Sequence, residues 1–467
     1  MSRAPAPLAH LASVPVYVPG RSAAEAMAEH GIAEAVKLAS NEVPFGPLPG
    51  VVDALVGAMA DTSRYADHDS DVLAAAYAAT LGLVRRHVAV GPGSVGLLQQ
   101  LTLAYAGAQD EVLYPWPSFI AYPQFSGVVA AKRVVVPLRR CSIDVEAVLG
   151  AITPQTRIVF IANPNNPIGG AMRTADLRRL VEGAPSSCLV VIDEAYREFV
   201  TGADVPDALA LLAEFANVVV LRTLSKAYGM AGLRVGFLIG DPVVVSAVYA
   251  TMIPFAVNGP AQAGAMVALQ QGDEMRRRCA IIVAERARVG QLLRRRGLGT
   301  PEAQGNFWWL PVGGRAGELA VALERRGVVV RAFPTGIRVT VGLPAENEAF
   351  LAALDQVIAE TPALADAWGL VTGERARGMA TLLDAVVVAG ATSATVDLFD
   401  ARLARLHRTL DGVDGITASL DAARACDRFS AALAELGDAE WDRLQAEAPE
   451  VLGPLGETDE TLDLSDG

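Results

Sequence analysis

The chain has 467 residues, of which 52% are hydrophobic and 19% charged, and a formal net charge of −13. That much apolar material builds a sizeable core and excludes wholesale disorder, and the acidic balance excludes a nucleic-acid footprint. No apolar stretch reaches the ~18 residues a membrane span needs. The start, Met-Ser-Arg-Ala-Pro-Ala-Pro, lacks an apolar signal core, and the scattered cysteines and histidines show neither disulfide nor metal-ligand spacing, so a cytoplasmic, metal-free protein is expected.

In chain order, residues 1–45 form an N-terminal segment expected to contribute to a smaller domain. The turn Gly91-Pro-Gly-Ser94 then runs into a helical pattern over Val95–Tyr105. Short apolar runs follow at Val112–Tyr114, Val134–Val136, Ile158–Ala162, Leu189–Ile192, Val218–Leu221 and Val235–Ile239. Each is apolar on both parities, the mark of a strand buried on two faces. Between them, Ala175–Glu182 is amphipathic, with Thr174 as its expected N-cap and a stop at Gly183 and Pro185. Strand, loop, helix and strand in that order predict an α/β domain over 46–258, with a mostly parallel sheet sandwiched by helices.

From about Ala261 the pattern predicts one long helix to Arg295, a strand at Asn306–Leu310, a helix at Gly317–Arg326, strands at Val328–Arg331 and Ile337–Val341, and a helix at Glu346–Glu360. This reads as a smaller α+β domain, 259–360. After Thr361 the chain turns Ala-, Leu- and Asp-rich, with helical stretches near 374–389, 396–410 and 417–436. A helical extension over 361–455 and a disordered acidic tail over 456–467 are expected. From Thr361 onward there are 20 Asp and Glu against 8 Arg and no Lys, so nearly all of the net charge sits there.

Only three lysines occur, Lys37, Lys132 and Lys226. Lys226 follows the apolar run Val218–Leu221, in Arg222-Thr-Leu-Ser-Lys-Ala-Tyr-Gly-Met-Ala-Gly-Leu-Arg234. Function in a parallel sheet lies beyond the carboxyl ends of its strands. Three peptides sit there: Asn163-Pro-Asn-Asn-Pro-Ile-Gly169, Asp193-Glu-Ala-Tyr196 and Ser225-Lys226. Singly, each reads as a turn, a helix start or a surface lysine. On successive strand ends they read as one site.

An amine at a strand end, flanked by hydroxyls and followed by an arginine, suits covalent capture of pyridoxal phosphate. Lys226 can form that link and shuttle protons. Asp193 suits a place beside the pyridine nitrogen, keeping it protonated, and Asn166 and Tyr196 can hydrogen-bond the ring's 3-oxygen. The phosphate would take the N–H groups of Gly93, Ser94 and Val95 at a helix start, joined by Thr223, Ser225 and Arg234. Arg338, in Gly336-Ile-Arg-Val-Thr-Val-Gly342, suits a bidentate clamp on an α-carboxylate.

Taken together, these motifs resemble the fold-type I pyridoxal-phosphate aminotransferases of the histidinol-phosphate aminotransferase family. The chain is especially similar to their actinobacterial aromatic (phenylalanine) branch. The resemblance covers roughly residues 10–360. It also rests on Tyr17-Val-Pro-Gly20, Lys37-Leu-Ala-Ser-Asn-Glu-Val-Pro-Phe-Gly-Pro-Leu-Pro49, Arg64-Tyr65, Tyr114-Pro-Trp-Pro-Ser-Phe-Ile-Ala-Tyr122, Ile253-Pro-Phe-Ala-Val-Asn258 and Val330-Arg-Ala-Phe333.

The resemblance implies Lys226 as the cofactor-linked lysine, Asp193, Asn166 and Tyr196 in the roles just given, and Phe119 stacked on the ring. It further implies a homodimer in which Tyr65 reaches the phosphate of the neighbouring subunit's cofactor. Arg338 matches the carboxylate-binding arginine, and Tyr17 and Arg331 match residues lining the substrate pocket. Val43 stands where histidinol-phosphate enzymes usually have asparagine, and Val95-Gly96 stand where they usually have acidic residues. Both lean toward the aromatic branch. Pro117 and Ile168 depart from the usual arginine and Thr or Ser.

The expected reaction is ping-pong transamination of aromatic amino acids with 2-oxoglutarate. Histidinol phosphate is the rival substrate. Another reaction of the same fold, or a non-catalytic cofactor-binding module, is the alternative class.

Overall fold

Seven strands make the central sheet of the computed structural model, which describes residues 6–361 apart from 17, 140, 297 and 299. After a short N-terminal strand β1 (Val36–Lys37) come β2 (Val88–Pro92), β3 (Glu111–Trp116), β4 (Lys132–Pro137), β5 (Thr156–Ala162), β6 (Leu189–Asp193), β7 (Val218–Thr223) and β8 (Val235–Ile239). The sheet order is β2-β8-β7-β6-β5-β3-β4, with β8 antiparallel to both neighbours and every other pair parallel. β5 through β8 are almost wholly buried, because helices cover both faces and every Val, Ile and Leu finds apolar neighbours.

The parallel strands β5, β6 and β7 end side by side at Ala162, Asp193 and Thr223. Their carboxyl ends therefore carry the three chemistry-bearing peptides to one edge of the sheet. β2 was not expected as a strand. Its Gly91 and Pro92 disguise a buried edge that leads straight into helix Gly93–Tyr105.

Further along lie β9 (Phe307–Leu310), β10 (Val328–Val329), β11 (Arg331–Phe333) and β12 (Gly336–Thr340). β11, β12 and β9 form an antiparallel sheet, and β10 pairs in parallel with β1. The N-terminal segment is stitched into this region. Val36 donates to Gly327 O (2.7 Å), Leu38 donates to Val329 O (2.8 Å), and Thr340 donates to Leu38 O (2.8 Å). Residues 6–294 and 300–361 pack as one compact unit. The expected helical extension and acidic tail lie outside the described residues.

Three local expectations are corrected. Thr174 is the first helical residue, not the N-cap; Arg173 holds that place, and the Thr174 N–H bonds Asp204 O (3.0 Å) instead. The long helix from Ala261 is two helices, Gly259–Leu269 and Gly272–Arg295, the second starting at a glycine and opening with Asp273 and Glu274. The break falls in the polar run Gln270-Gln-Gly-Asp-Glu274, where Gly272 followed by two acidic residues was the available signal. Val328–Arg331 is likewise two strands, because its halves pair with different partners, β1 and β12.

Candidate active site

A cavity of about 490 Å³ opens at the carboxyl edge of the large sheet, of a size that suits a cofactor with a small substrate. It is lined by Ser94, Val95, Phe119, Asn166, Asp193, Tyr196, Thr223, Ser225, Lys226, Arg234, Arg331 and Arg338. Most of the residues singled out from sequence thus converge. Gly93 backs the wall, while Tyr65 stands apart, 83% exposed and stacked on Phe255 with ring centroids 4.4 Å apart. Tyr17 lies outside the described residues.

Lys226 follows β7, and its Nζ donates to Ser40 O at 3.0 Å. Burial first, and then the Arg338 guanidinium, lower its pKa to about 8. Asp193 ends β6 and is buried. Burial pushes its carboxyl up to about 6, although hydrogen bonds from Tyr122 Oη (3.2 Å) and the Ala195 N–H (3.2 Å) pull the other way. Both of those donors are neutral. A buried carboxylate at the edge of a cavity, without a cation among its hydrogen-bond donors, suits a ligand group that brings a positive charge.

Another part of the cavity lining is built for an anion. Helix Gly93–Tyr105 presents its first turn there, with Gly93 in the left-handed region (φ 74°). A Cβ on Gly236 of β8 would lie 2.3 Å from the Ser94 nitrogen, so only glycine lets the helix start press on the strand. Hydroxyls complete the cradle: Thr223 Oγ1 donates to Ser225 Oγ (2.9 Å), and Arg234 Nη1 reaches Ser225 Oγ at 3.3 Å. Free helix N–H groups, two hydroxyls and a guanidinium match a phosphate dianion. The residues present therefore fit a group that carries an aldehyde, a basic ring nitrogen and a phosphate.

β12 carries Arg338 into the same cavity, where it is 8% exposed. Its Nη1 donates to Asn166 Oδ1 (2.5 Å) and its Nη2 to Ala39 O (2.8 Å), with Phe307 and Phe333 rings each 5.6 Å from its guanidinium carbon. Asn166 in turn donates to Tyr196 Oη at 3.2 Å. Arg331 on β11 binds Val18 O and Pro19 O, both at 2.6 Å, tying the N-terminal segment to the cavity's rim. Phe119, Ile120, Phe125 and Phe333 make an apolar wall, and Phe119 packs edge-on against Tyr122 (5.6 Å, 86°).

Sequence reasoning missed Tyr122 and the stretch Ala39–Asn41 as parts of this site. Tyr122 lies three residues after Phe119 in a motif already marked. Asn41 has φ 54°, and asparagine is among the few side chains that accept the left-handed region, so an asparagine in a breaker-rich turn was the available signal.

Comparison with known proteins agrees with this chemistry. Residues 33–354 match the family model described as aminotransferase class I and II. An aromatic amino acid aminotransferase from Thermobifida fusca is 48% identical over 342 residues, 73% of this chain and 94% of the relative. One from Streptomyces coelicolor is 46% identical over 345 residues, 73% of this chain and 95% of the relative. Among solved structures, a histidinol-phosphate aminotransferase from Sinorhizobium meliloti in complex with pyridoxal-5'-phosphate is similar with a TM-score of 0.69 at 28% identity. That match covers 76% of this chain and 97% of the other.

Proposed function

The chain belongs to the aminotransferase class I and II family, and from that premise we propose that it transfers the amino group of aromatic amino acids to 2-oxoglutarate. It is a pyridoxal-phosphate-dependent aminotransferase. When bound, pyridoxal phosphate supplies an aldehyde that takes the amino group and a ring that accepts the electrons released as Cα loses its proton.

In this reading Lys226 provides the primary amine for that aldehyde. Once displaced by substrate, its Nζ takes the Cα proton, a base whose pKa of about 8 lies near working pH. Asp193 holds a proton on the pyridine nitrogen by placing a buried negative charge beside it. Asn166 and Tyr196 donate to the 3-oxygen, and Phe119 covers the ring face. The N–H groups of Gly93, Ser94 and Val95, with Thr223, Ser225 and Arg234, hold the phosphate. Arg338 clamps the α-carboxylate beside Asn166, and Tyr17 and Arg331 take part in binding the substrate.

Residues 46–258 serve as the cofactor domain in this assignment, and 259–360 with the segment 1–45 as the smaller domain. The active unit is a cytoplasmic homodimer in which Tyr65 reaches the neighbouring cofactor's phosphate. Its exposure, away from its own cavity, is consistent with that role.

The observation that carries the aromatic preference is the apolar lining by Ile120, Phe125 and Phe333 on the same cavity as Lys226 and Arg338. Arg331, engaged with two backbone carbonyls, is not set out as a phosphate receptor for histidinol phosphate. Assay of phenylalanine, tyrosine, tryptophan, histidinol phosphate and aspartate against 2-oxoglutarate tests the reading. Phenylalanine is expected to exceed histidinol phosphate by about tenfold or more in kcat/KM, roughly 1.4 kcal/mol; the reverse order rejects it. Arg338→Ala is expected to weaken all carboxylate substrates together, by about 2–5 kcal/mol. A loss confined to aromatic substrates would assign Arg338 to the side chain instead.

A further inference from the structure

Asn41 touches none of the groups so far given a chemical task except Tyr196, yet it is fully buried and every polar group it has is in use. Its backbone N–H donates to Thr340 Oγ1 (2.9 Å), and its carbonyl accepts from Asn306 Nδ2 (3.1 Å). Thr340 Oγ1, having accepted that N–H, donates its own hydrogen to Asn41 Oδ1 (3.1 Å). This small ring orients the Asn41 amide: with Oδ1 turned to Thr340, Nδ2 faces Tyr196 and donates to its hydroxyl oxygen at 3.0 Å.

The second amide beside Tyr196 is oriented in the same way from the other side. Arg338 Nη1 holds Asn166 Oδ1, which turns Asn166 Nδ2 toward the same phenol oxygen. A tyrosine oxygen has two acceptor positions and one hydrogen. With both acceptor positions filled by amide N–H groups, a hydrogen bond from the Tyr196 hydroxyl to a cofactor is one that it donates.

We propose that Asn41 is a positioning residue that fixes Tyr196 as a hydrogen-bond donor toward the cofactor's 3-oxygen. This rests on the role given to Tyr196 above. The 3-oxygen stands on the ring carbon next to the one that bears the aldehyde, so with Lys226 joined to that aldehyde the Tyr196 hydroxyl and the proton on the linking nitrogen would compete for it. A strong Tyr196 donor loosens that nitrogen's hold on its proton. Losing the donor, or turning it away, tightens the hold and moves the proton's release to higher pH.

The test is an absorbance titration of the cofactor-loaded enzyme and its variants between pH 5 and 10. Asn41 has a left-handed backbone, so Asn41→Gly and Asn41→Asp are chosen as substitutions that tolerate it. Asn41→Asp keeps the acceptor for Thr340 but replaces the N–H donor by a carboxylate oxygen, which draws the Tyr196 hydrogen to itself. The midpoint is expected to rise by about one pH unit, as far as in Tyr196→Phe, and less in Asn41→Gly. Adding Tyr196→Phe to Asn41→Asp is expected to cause no further shift, because both act through one hydroxyl. Thermal melts of each variant identify any that do not fold; the Gly variant then carries the comparison. A midpoint unmoved in Tyr196→Phe overturns the role of Tyr196 itself. A midpoint that moves in Tyr196→Phe but stays at wild type in both Asn41 variants overturns the proposal for Asn41 alone. So does additivity of the two shifts.

Discussion

The free amine of Lys226 is the group whose environment differs most usefully from water. Its pKa is lowered from 10.5 to about 8, so the folded protein binds fewer protons there than the unfolded chain between those values. The sign follows: the cost of burying the charge is full below about pH 8 and is relieved as pH climbs toward 10.5. Only the unprotonated amine attacks an aldehyde. The rate at which cofactor-free protein captures pyridoxal phosphate, followed by stopped-flow absorbance, is therefore expected to rise with pH and level off slightly above pH 8. A rate still climbing through pH 10 would put Nζ in a water-like setting and remove the argument for a poised base. Lys226, Asp193 and Arg338 were legible because each ends or rides a strand in a peptide whose residue types have few other uses together. Tyr122 and Asn41 were not, because they act through another side chain: Tyr122 on Asp193 and Asn41 on Tyr196. No spacing along the chain records a bond made across 155 residues.

Among the elements, the close approach of β8 to the start of helix Gly93–Tyr105 is the most exacting. An added methyl at Gly236 would meet the Ser94 nitrogen at 2.3 Å and the Gly93 carbonyl carbon at 2.5 Å, both backbone atoms that cannot swing aside. Gly236→Ala is expected to push the helix start off the strand at an overpacking cost of about 1–3 kcal/mol. Affinity for pyridoxal phosphate should fall about tenfold or more by absorbance titration, and affinity for pyridoxal, which lacks the phosphate, should hardly change. Equal losses for both ligands would show that the strand–helix contact does not set the phosphate site. The same elements show what a pattern of apolar residues can and cannot reveal. Strands buried on both faces, such as Val218–Thr223, announce themselves as unbroken apolar runs. β2 was hidden by its Gly91-Pro92 ending, and the division of 328–333 into two strands depends on which distant partner each half meets. Partner choice is a property of the fold, not of local periodicity.

For the molecule as a whole, the acidity is lopsided: residues from Thr361 onward carry 20 Asp and Glu against 8 Arg, while among the described residues those lining the cavity all precede Val339. Ending the chain near Thr361 is expected to leave the cofactor bound and transamination within about tenfold of full length, roughly 1.4 kcal/mol in the barrier. A truncated protein that binds cofactor yet turns over no substrate would show that the extension helps build the site. The stitching of residues 36–41 onto β10 and β12 has a consequence for the order in which the molecule is made. The segment that carries the Ser40 carbonyl to Lys226, the Ala39 carbonyl to Arg338 and the Asn41 amide to Tyr196 is synthesised early, yet its anchoring bond to Thr340 spans 299 residues of sequence. Domains assemble from the N-terminus as the chain emerges at about 5–20 residues per second. The whole central sheet is therefore available to fold before Thr340 exists, while residues 36–41 must wait, unpaired, for the far end of the chain before the cavity can close around its lysine.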